Sequence, residues 1–499
     1  MIVEPDSAAF AARYAEGASQ VVSTRLVADL ETPVSAMLKL AEGQANSFLF
    51  ESVEGGETRG RYSFIGLKPD IIWKSRGDVS EINRRARQDP AKFEKQDGPP
   101  LENLKALIEE SLIDLPEDMP PMASGLFGYL GYDMVRHSER LPDTNPDTLG
   151  VPDAIMIRPT VIAIFDTVAD IVTIVTPVRP SSEITPNLAF DQALERLADV
   201  VAQFRREPPY DRGSSTLRSD TAEPTSNTGS EAYCAAVEKA REYIRAGDIF
   251  QVVPSQRFSM PFPTSPFGFY RALRRLNPSP FLFFLDFGSF CVAGSSPEIL
   301  VRVRNGEMTL RPLAGTRPRG KDRAEDLALE EDLLADEKER AEHLMLLDLG
   351  RNDVGRVAEI GSVNVTEQFV IERYSHVMHI SSTVTGRLLP DKTCLDALMA
   401  GFPAGTVSGA PKVRSMEIID ELEVARRGVY AGAVGYFGAN GDLDTCIALR
   451  TAVIKDRVLY IQAGAGIVAD SDPETEDAET KHKAQALVRA AKVALGAVN

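Results

Sequence analysis

Cysteine is scarce. The four in this 499-residue chain, Cys234, Cys291, Cys394 and Cys446, are scattered, with no CxxC pair and no framework spacing. That excludes a disulfide scaffold and points to a reducing compartment. No basic run is long enough to track a phosphate backbone and the net charge is −18, which excludes nucleic acid as a partner. The opening Met1-Ile-Val-Glu-Pro-Asp6 lacks the basic start and apolar core of a signal peptide, and no apolar run approaches membrane-spanning length. The expectation is a soluble, cytoplasmic protein without nucleic-acid or membrane partners. What is present is ordinary globular material, 43% hydrophobic and 26% charged, enough for roughly two to four domains. An acidic protein of this kind binds an anion only with local help from a metal or a few placed Lys and Arg.

Residues 1–45 read as amphipathic helix, and 46–75 as strands over Ser47–Ser52, Arg61–Gly66 and Ile71–Trp73. A short helix covers Leu101–Leu112. The glycine-rich Gly125–Asp133 lacks the strand–GxGxxG–helix setting of a nucleotide loop. Val161–Val178 reads as a hairpin turning near Val168–Asp170, and Leu188–Arg205 as a helix. Residues 206–229, rich in Pro, Ser, Thr, Asp and Gly, read as a linker or mobile loop between an N-terminal region, 1–205, and a second region, 230–499. The second region opens with a helix capped by Ser230 and stopped by Gly247. A strand over Ile249–Ser259 and a helix from Ser265-Pro266 to Leu276 follow. Hairpins then come at Phe281–Gly294 and Ile299–Leu313, the latter turning on Asn305-Gly306. Strands at Val363–Ile371 and Val377–Thr385 and a helix over Ala410–Leu422 precede strands at Ala431–Phe437, Leu443–Ile454 and Val458–Ala463. Hairpins rather than strand–helix alternation predict an α+β architecture: two packed, mainly antiparallel β-sheets with helices outside.

Two acidic stretches predict helix starts. After Pro473, Glu476 and Glu479 are three apart and share a face with Lys483; in Asp336–Leu349, Glu339 and Glu342 repeat the spacing. Two helices each offering a carboxylate pair suit a hard divalent cation such as Mg²⁺. The plain alternative is two solvated acidic faces.

Further strings occur in order: Pro312-Leu-Ala-Gly-Thr-Arg-Pro-Arg-Gly320; Ala341-Glu-His-Leu-Met345 with Asp348-Leu-Gly-Arg-Asn-Asp353; Gly405-Thr-Val-Ser-Gly-Ala-Pro-Lys412; Asp442-Leu-Asp-Thr-Cys-Ile-Ala-Leu-Arg450; and Gln462-Ala-Gly-Ala-Gly-Ile467. Together with the acidic helix they resemble the chorismate-utilising enzymes, most closely the large subunits of the anthranilate synthases, over nearly the whole chain. The resemblance implies Mg²⁺ on the ring carboxylate of chorismate, with Glu342 and Glu479 nearest and Glu339 and Glu476 holding waters or supporting them. It implies Arg450 at the enolpyruvyl carboxylate, where a bidentate contact suits guanidinium. Tyr430, Gly464, Ala465, Gly466 and Lys483 resemble further substrate-binding positions. The plainer reading of Lys483 is an exposed i,i+4 partner of Glu479. Glu298 matches the general acid for departure of the C4 hydroxyl, which requires a raised pKa. His379 matches the histidine of pyruvate elimination, with His376 as a structural competitor. Thr406 and Gly315-Thr316 resemble positions lining the ring.

Two positions sort the relatives. Those that add water carry a lysine where this chain has Gln251, which cannot deprotonate water but leaves ammonia competent. Aminodeoxychorismate synthases commonly carry lysine where this chain has Ala314. Both point to ammonia adding at C2 with loss of pyruvate. None of the four cysteines has the glycine-flanked elbow of a glutamine amidotransferase nucleophile. The resemblance thus implies a separate amidotransferase subunit supplying ammonia, two copies of each. Leu49-Phe-Glu51-Ser52 and Asn277-Pro-Ser-Pro280-Phe281-Leu282 resemble a tryptophan feedback site, the second string departing from the common Pro-Tyr-Met. Ser52, Pro280 and Tyr436 are the principal expected contacts, with Glu51, Phe281, Leu282 and Arg61 beside them. The rivals are an aminodeoxychorismate synthase component and a silent tryptophan-binding regulator on the same fold.

Overall fold

The structure is a computed structural model that describes residues 1–41, 43–52, 60–207, 223–374 and 377–496. Most of the linker stretch, and His376, therefore lie outside the described residues. Every strand pairing among them is antiparallel, and apart from the short ladder of Gln251–Val252 with Gly409–Ala410 the strands form one continuous sheet that folds into two sheet layers. The first runs, neighbour to neighbour, through Thr225–Ser226, Ser255–Pro261, Val458–Gly464, Thr451–Lys455, Phe290–Ser296, Phe281–Asp286 and Ser47–Glu51. It continues through the start of Tyr62–Arg76, the end of Ala154–Asp166, Ile171–Val178 and Gln20–Val27. The second runs from Glu94–Gln96 through Val79–Asn83, the end of Tyr62–Arg76, the start of Ala154–Asp166, Gly125–Leu130 and Ala433–Gly438. It goes on to Leu443–Ile447, Ile299–Arg304, Glu307–Leu310 and Val377–Arg387, which Leu313–Pro318 and Asn364–Arg373 flank.

Two long strands thus serve both sheets. Tyr62–Arg76 and Ala154–Asp166 pair along their length, with a register break between Pro69 and Ile71 where Lys68 takes a positive φ of 51°. A bulge of this kind bends a strand and increases its twist, and here it lets one pair of strands pass from the first sheet into the second.

The sheets face each other across an aromatic core. Phe48 of the first sheet stacks on Phe127 of the second with ring centroids 4.7 Å apart, and Phe64 meets Tyr436 edge-on at 5.6 Å. Outside the first sheet pack the helices Ser7–Ala15, Pro33–Leu40, Pro186–Phe204, Pro266–Leu276 and Pro473–Ala494; outside the second pack Pro100–Glu110, Glu337–Gly355 and Cys394–Gly401. Each fully buried Phe or Leu in these layers contributes about 1.5–3 kcal/mol. The α+β sandwich with outer helices is as expected.

Local differences have local causes. Residues 20–27 form a strand, Gln-Val-Val-Ser-Thr-Arg-Leu-Val, not helix, because the β-branched run finds Ile171–Val178 as an edge partner. The predicted strand over Ile249–Ser259 is two: Gln251–Val252 pairs with Gly409–Ala410, and Ser255–Pro261 joins the first sheet, with Pro254 lying between them. The helix from Ser230 is preceded by Gly229 rather than capped by Ser230, while Gly247 ends it in the left-handed region, as expected. Leu443–Ile454 is broken at Ala448-Leu449-Arg450, and Arg450, which the expected strand included, sits between two strands with a φ of 46°. Asn305 and Gly306 both take positive φ at their hairpin turn, the conformation that dipeptide favours.

Candidate active site

The helices Glu337–Gly355 and Pro473–Ala494 begin side by side. Asp336 caps the first through the amides of Lys338 and Glu339, and Asp472 caps the second through that of Thr475. Lys338 ties the two starts together: its ammonium lies 3.0 Å from Asp470. The hydrogen bond to Asp470, then the charges of Asp470, Glu342 and Glu476, hold it above the ordinary lysine range against the lowering effect of burial. Burial, then the neighbouring Glu342, raises the Glu339 carboxyl; Arg317, 3.3 Å away, opposes this. Burial and Glu479 likewise raise Glu476, opposed by Ser471. Among the described residues no three His, Cys, Asp or Glu side chains are grouped to hold a metal on protein ligands alone. The donor set nevertheless fits Mg²⁺, which takes one or two carboxylates and completes its shell with water and substrate oxygens. Crowded, like-charged carboxylates are the environment a divalent cation relieves.

Around this pair Gln251, Gly466, Gly464, Tyr430 and Lys483 are linked contact by contact. Gln251 Nε2 donates to Glu342 Oε1 at 2.9 Å. Gly466 is opposite: a Cβ there would stand 2.7 Å from Gln251 Nε2. Lys483 pairs with Glu479 at 2.6 Å, as its plainer reading held, and also donates to the carbonyl of Gly464 at 3.1 Å. A Cβ on Gly464 would meet the Tyr430 hydroxyl at 3.0 Å. Tyr430 is buried, which pushes its phenol up to about 12, and the Arg427 guanidinium lies 5.4 Å from its ring centre. Ala465 is fully buried, its amide donating to the carbonyl of Pro254 at 3.3 Å.

On the other side, Gly315 takes a positive φ of 70°, and a Cβ there would lie 3.2 Å from Glu339 Oε2. Its carbonyl is 2.9 Å from His379 Nδ1, and Thr316 Oγ1 is 3.1 Å from the same nitrogen. A carbonyl only accepts, so Nδ1 carries the proton and Nε2 keeps its lone pair. Burial, with a smaller contribution from the charge of Arg450, lowers His379 and leaves it neutral at pH 7; the Gly315 hydrogen bond opposes this. Glu298 is buried, with Thr406 Oγ1 3.2 Å from each carboxyl oxygen. Burial pushes its pKa up to about 8, against the smaller lowering from Thr406 and the Leu313 amide. A carboxylic acid that keeps its proton at pH 7 can give it away.

A cavity of about 410 Å³ lies between the sheets. Glu51, Ser52, Arg61, Pro280, Phe281, Leu282 and Tyr436 all line it. Their side chains are not equally available. Glu51 accepts from Arg274 Nε at 2.7 Å and from the Tyr270 hydroxyl, both on the outer helix Pro266–Leu276. Arg61 is engaged by Asp166 at 2.6 Å. Sequence reasoning passed over Arg302, Arg304 and Arg311, which also line this cavity, with Arg304 2.8 Å from the Tyr436 hydroxyl. Arg304 flanks the Asn-Gly turn, and the strand alternation there would have aimed it at the same face as Arg302. Pro297 and Ile299 face this cavity too, on either side of Glu298.

A family profile of chorismate binding enzymes matches residues 54–489. Anthranilate synthase component 1 of Cereibacter sphaeroides is 60% identical over 476 residues, 95% of each chain, and that of Neisseria meningitidis serogroup A is 48% identical over 97% of each. The crystal structure of anthranilate synthase component I from Streptococcus pneumoniae superposes with a TM-score of 0.75 at 39% identity, covering 88% of this chain and 94% of that one. A menaquinone-specific isochorismate synthase from Escherichia coli, 20% identical with a TM-score of 0.71, shares the fold. The chain belongs to the chorismate-binding enzymes and, within them, to the anthranilate synthase component 1 group, as a lyase of that kind.

Proposed function

We propose that the chain converts chorismate and ammonia to anthranilate and pyruvate. The observation that carries this is the pairing of a buried, protonated Glu298 with two positions lacking a base or nucleophile, Gln251 and Ala314. Glu298 donates its proton to the C4 hydroxyl, which leaves as water, while Thr406 holds the carboxyl in place. Ammonia adds at C2; with no lysine at 251, water is not activated in its stead. His379, neutral and with an unprotonated Nε2, accepts the C2 proton as the C3–O bond breaks, and the expelled enolate becomes pyruvate by taking a proton from solvent on its methylene carbon. Arg450 and the backbone of Gly464–Gly466 orient the enolpyruvyl carboxylate, and Tyr430 and Lys483 close the site beside them. Glu342 and Glu479, supported by Glu339 and Glu476, would hold Mg²⁺, which neutralises the ring carboxylate and the charge developing on it.

Ammonia comes from a component II amidotransferase, two copies of each chain forming the assembly. Cys291, Cys394 and Cys446 are buried, with burial raising their thiols, and Cys234 lies on a helix, so none is an activated nucleophile. The cavity between the sheets takes L-tryptophan as feedback inhibitor; its volume suits a ligand of that size. No helix among the described residues is long and apolar enough to cross a membrane. Incubating the purified chain with chorismate, Mg²⁺ and an ammonium salt, then identifying the product by mass and fluorescence, tests the reading. Anthranilate supports it. A para-aminated product favours the aminodeoxychorismate rival, and no turnover favours the silent regulator.

A further inference from the structure

The strings ending at Asp353 and at Lys412 each close on a charged residue that the chemistry above leaves unused. The fold brings these two together: Lys412 Nζ donates to Asp353 Oδ2 at 2.7 Å, with side chains 9% and 8% exposed. A buried ion pair costs several kcal/mol to desolvate, and apolar residues of the same volume often serve stability as well, so packing alone does not account for it. Its position does. Asp353 shares a cavity of about 40 Å³ with Glu298 and Thr406, closed in part by Leu346, Leu349 and Gly350. A space of that size holds a water, and three polar side chains are there to bind it.

Glu298 is only 6% exposed and loses a proton in every turnover. That proton has to be replaced, and the cavity shared with Asp353 offers a route. We propose that Asp353, held by Lys412, relays a proton from solvent to Glu298 through water in this cavity. The inference rests on Glu298 being the general acid. In the relay Asp353 takes up a proton and passes it to the cavity water as that water gives another to the Glu298 carboxylate. One O–H bond breaks for each that forms, Asp353 ends as a carboxylate, Lys412 stays an ammonium and no electrons are exchanged. Burial suits brief protonation, and the cations beside the carboxyl return it to the ionised form. Burial raises the Asp353 carboxyl, and only Lys412, with Arg356 behind it, opposes this. Arg311, also on the cavity wall, is neutralised by Glu372. Glu298 itself faces the Thr406 hydroxyl and the Leu313 amide.

The test compares the full chain with Asp353→Asn and Glu298→Gln, using chorismate, Mg²⁺ and ammonium at fixed pH and ionic strength. Asp353→Asn should lower kcat about 10- to 100-fold, leave KM for chorismate within about twofold, raise the solvent deuterium isotope effect on kcat, and recover rate as the concentration of a small buffer acid such as acetic acid or imidazolium rises. Wild type should not respond to that buffer, and Lys412→Arg should keep most of the rate. Turnover of Asp353→Asn within twofold of wild type, or a loss indifferent to buffer and isotope, overturns the relay. Glu298→Gln separates the two readings: if its kcat falls about 10²- to 10⁴-fold and no buffer restores it, the acid reading stands whatever Asp353→Asn does, and if it turns over at near the wild-type rate, the acid reading fails and the relay with it. Should Asp353→Asn not fold, Gly350→Val narrows the cavity with both charges in place. It should show the same buffer-dependent loss, and its absence overturns the relay.

Discussion

Gln251 and Glu342 are joined by a 2.9 Å hydrogen bond, so a residue on which the proposed use of ammonia rests holds a candidate metal ligand directly. Replacing Glu342 by Gln removes the charge and keeps the shape. We expect turnover to fall by at least about a hundredfold with the fold unchanged, read from Mg²⁺ titrations of activity beside far-UV circular dichroism. Near-normal Mg²⁺-dependent activity would remove Glu342 from the metal site.

The pH profile should carry the signature of Glu298. Its pKa is raised to about 8, and in the proposed mechanism its protonated form is the active one. Activity at constant free ammonia should therefore be flat through neutrality and fall about tenfold per pH unit above pH 8. Glu298→Gln should cost about 10²- to 10⁴-fold in kcat and abolish that alkaline limb. A residual activity that keeps the limb would assign it to another group.

Regulation is tested at Ser52, which lines the cavity between the sheets. Losing one buried hydrogen bond to the ligand costs about 1–3 kcal/mol, or roughly five- to 150-fold in affinity. Ser52→Ala should leave uninhibited turnover nearly unchanged and raise the half-inhibiting tryptophan concentration at least severalfold, at matched chorismate saturation. Linkage also requires chorismate to weaken tryptophan binding by the factor that tryptophan weakens chorismate binding. Superimposable inhibition curves would take Ser52 out of the ligand's contacts.

Arg427 is a prediction about stability. It is 2% exposed, pairs with Glu423 at 2.6 Å and donates to the carbonyls of Val407 at 2.7 Å and Val253 at 2.6 Å. It thereby pins the segment carrying Thr406 to the one carrying Gln251. Arg427→Met leaves a buried carboxylate uncompensated and should cost about 3–5 kcal/mol, measured by urea denaturation. A loss below about 1 kcal/mol would mean the two segments are held by other contacts.

Much of this was legible in residue spacing. The i,i+3 glutamates, the Asn305-Gly306 turn and the Ser265-Pro266 helix start are local signals, and they stand where local physics puts them. The failures are nonlocal. Gln20–Val27 is a strand because Ile171–Val178 offers it an edge, and nothing near residue 20 reveals that partner. The break at Arg450 and the split at Pro254 arise where one segment leaves a ladder to meet another. The same limit applied to the site. Glu298 could be named from its string, but its raised pKa comes from burial by distant segments, and the Asp353–Lys412 pair joins two strings that are far apart in sequence.

The strand Ser47–Glu51 is held between Tyr62–Arg76 and Phe281–Asp286. During synthesis the first neighbour emerges almost at once, the second only after the intervening chain has been made, roughly 10–50 s later at ribosomal rates. For that interval a strand reading Ser-Phe-Leu-Phe-Glu presents an unpaired apolar edge, the kind that recruits other nascent chains. Growth temperature and chaperone supply should therefore govern the yield of soluble chain more strongly than the stability of the finished fold does.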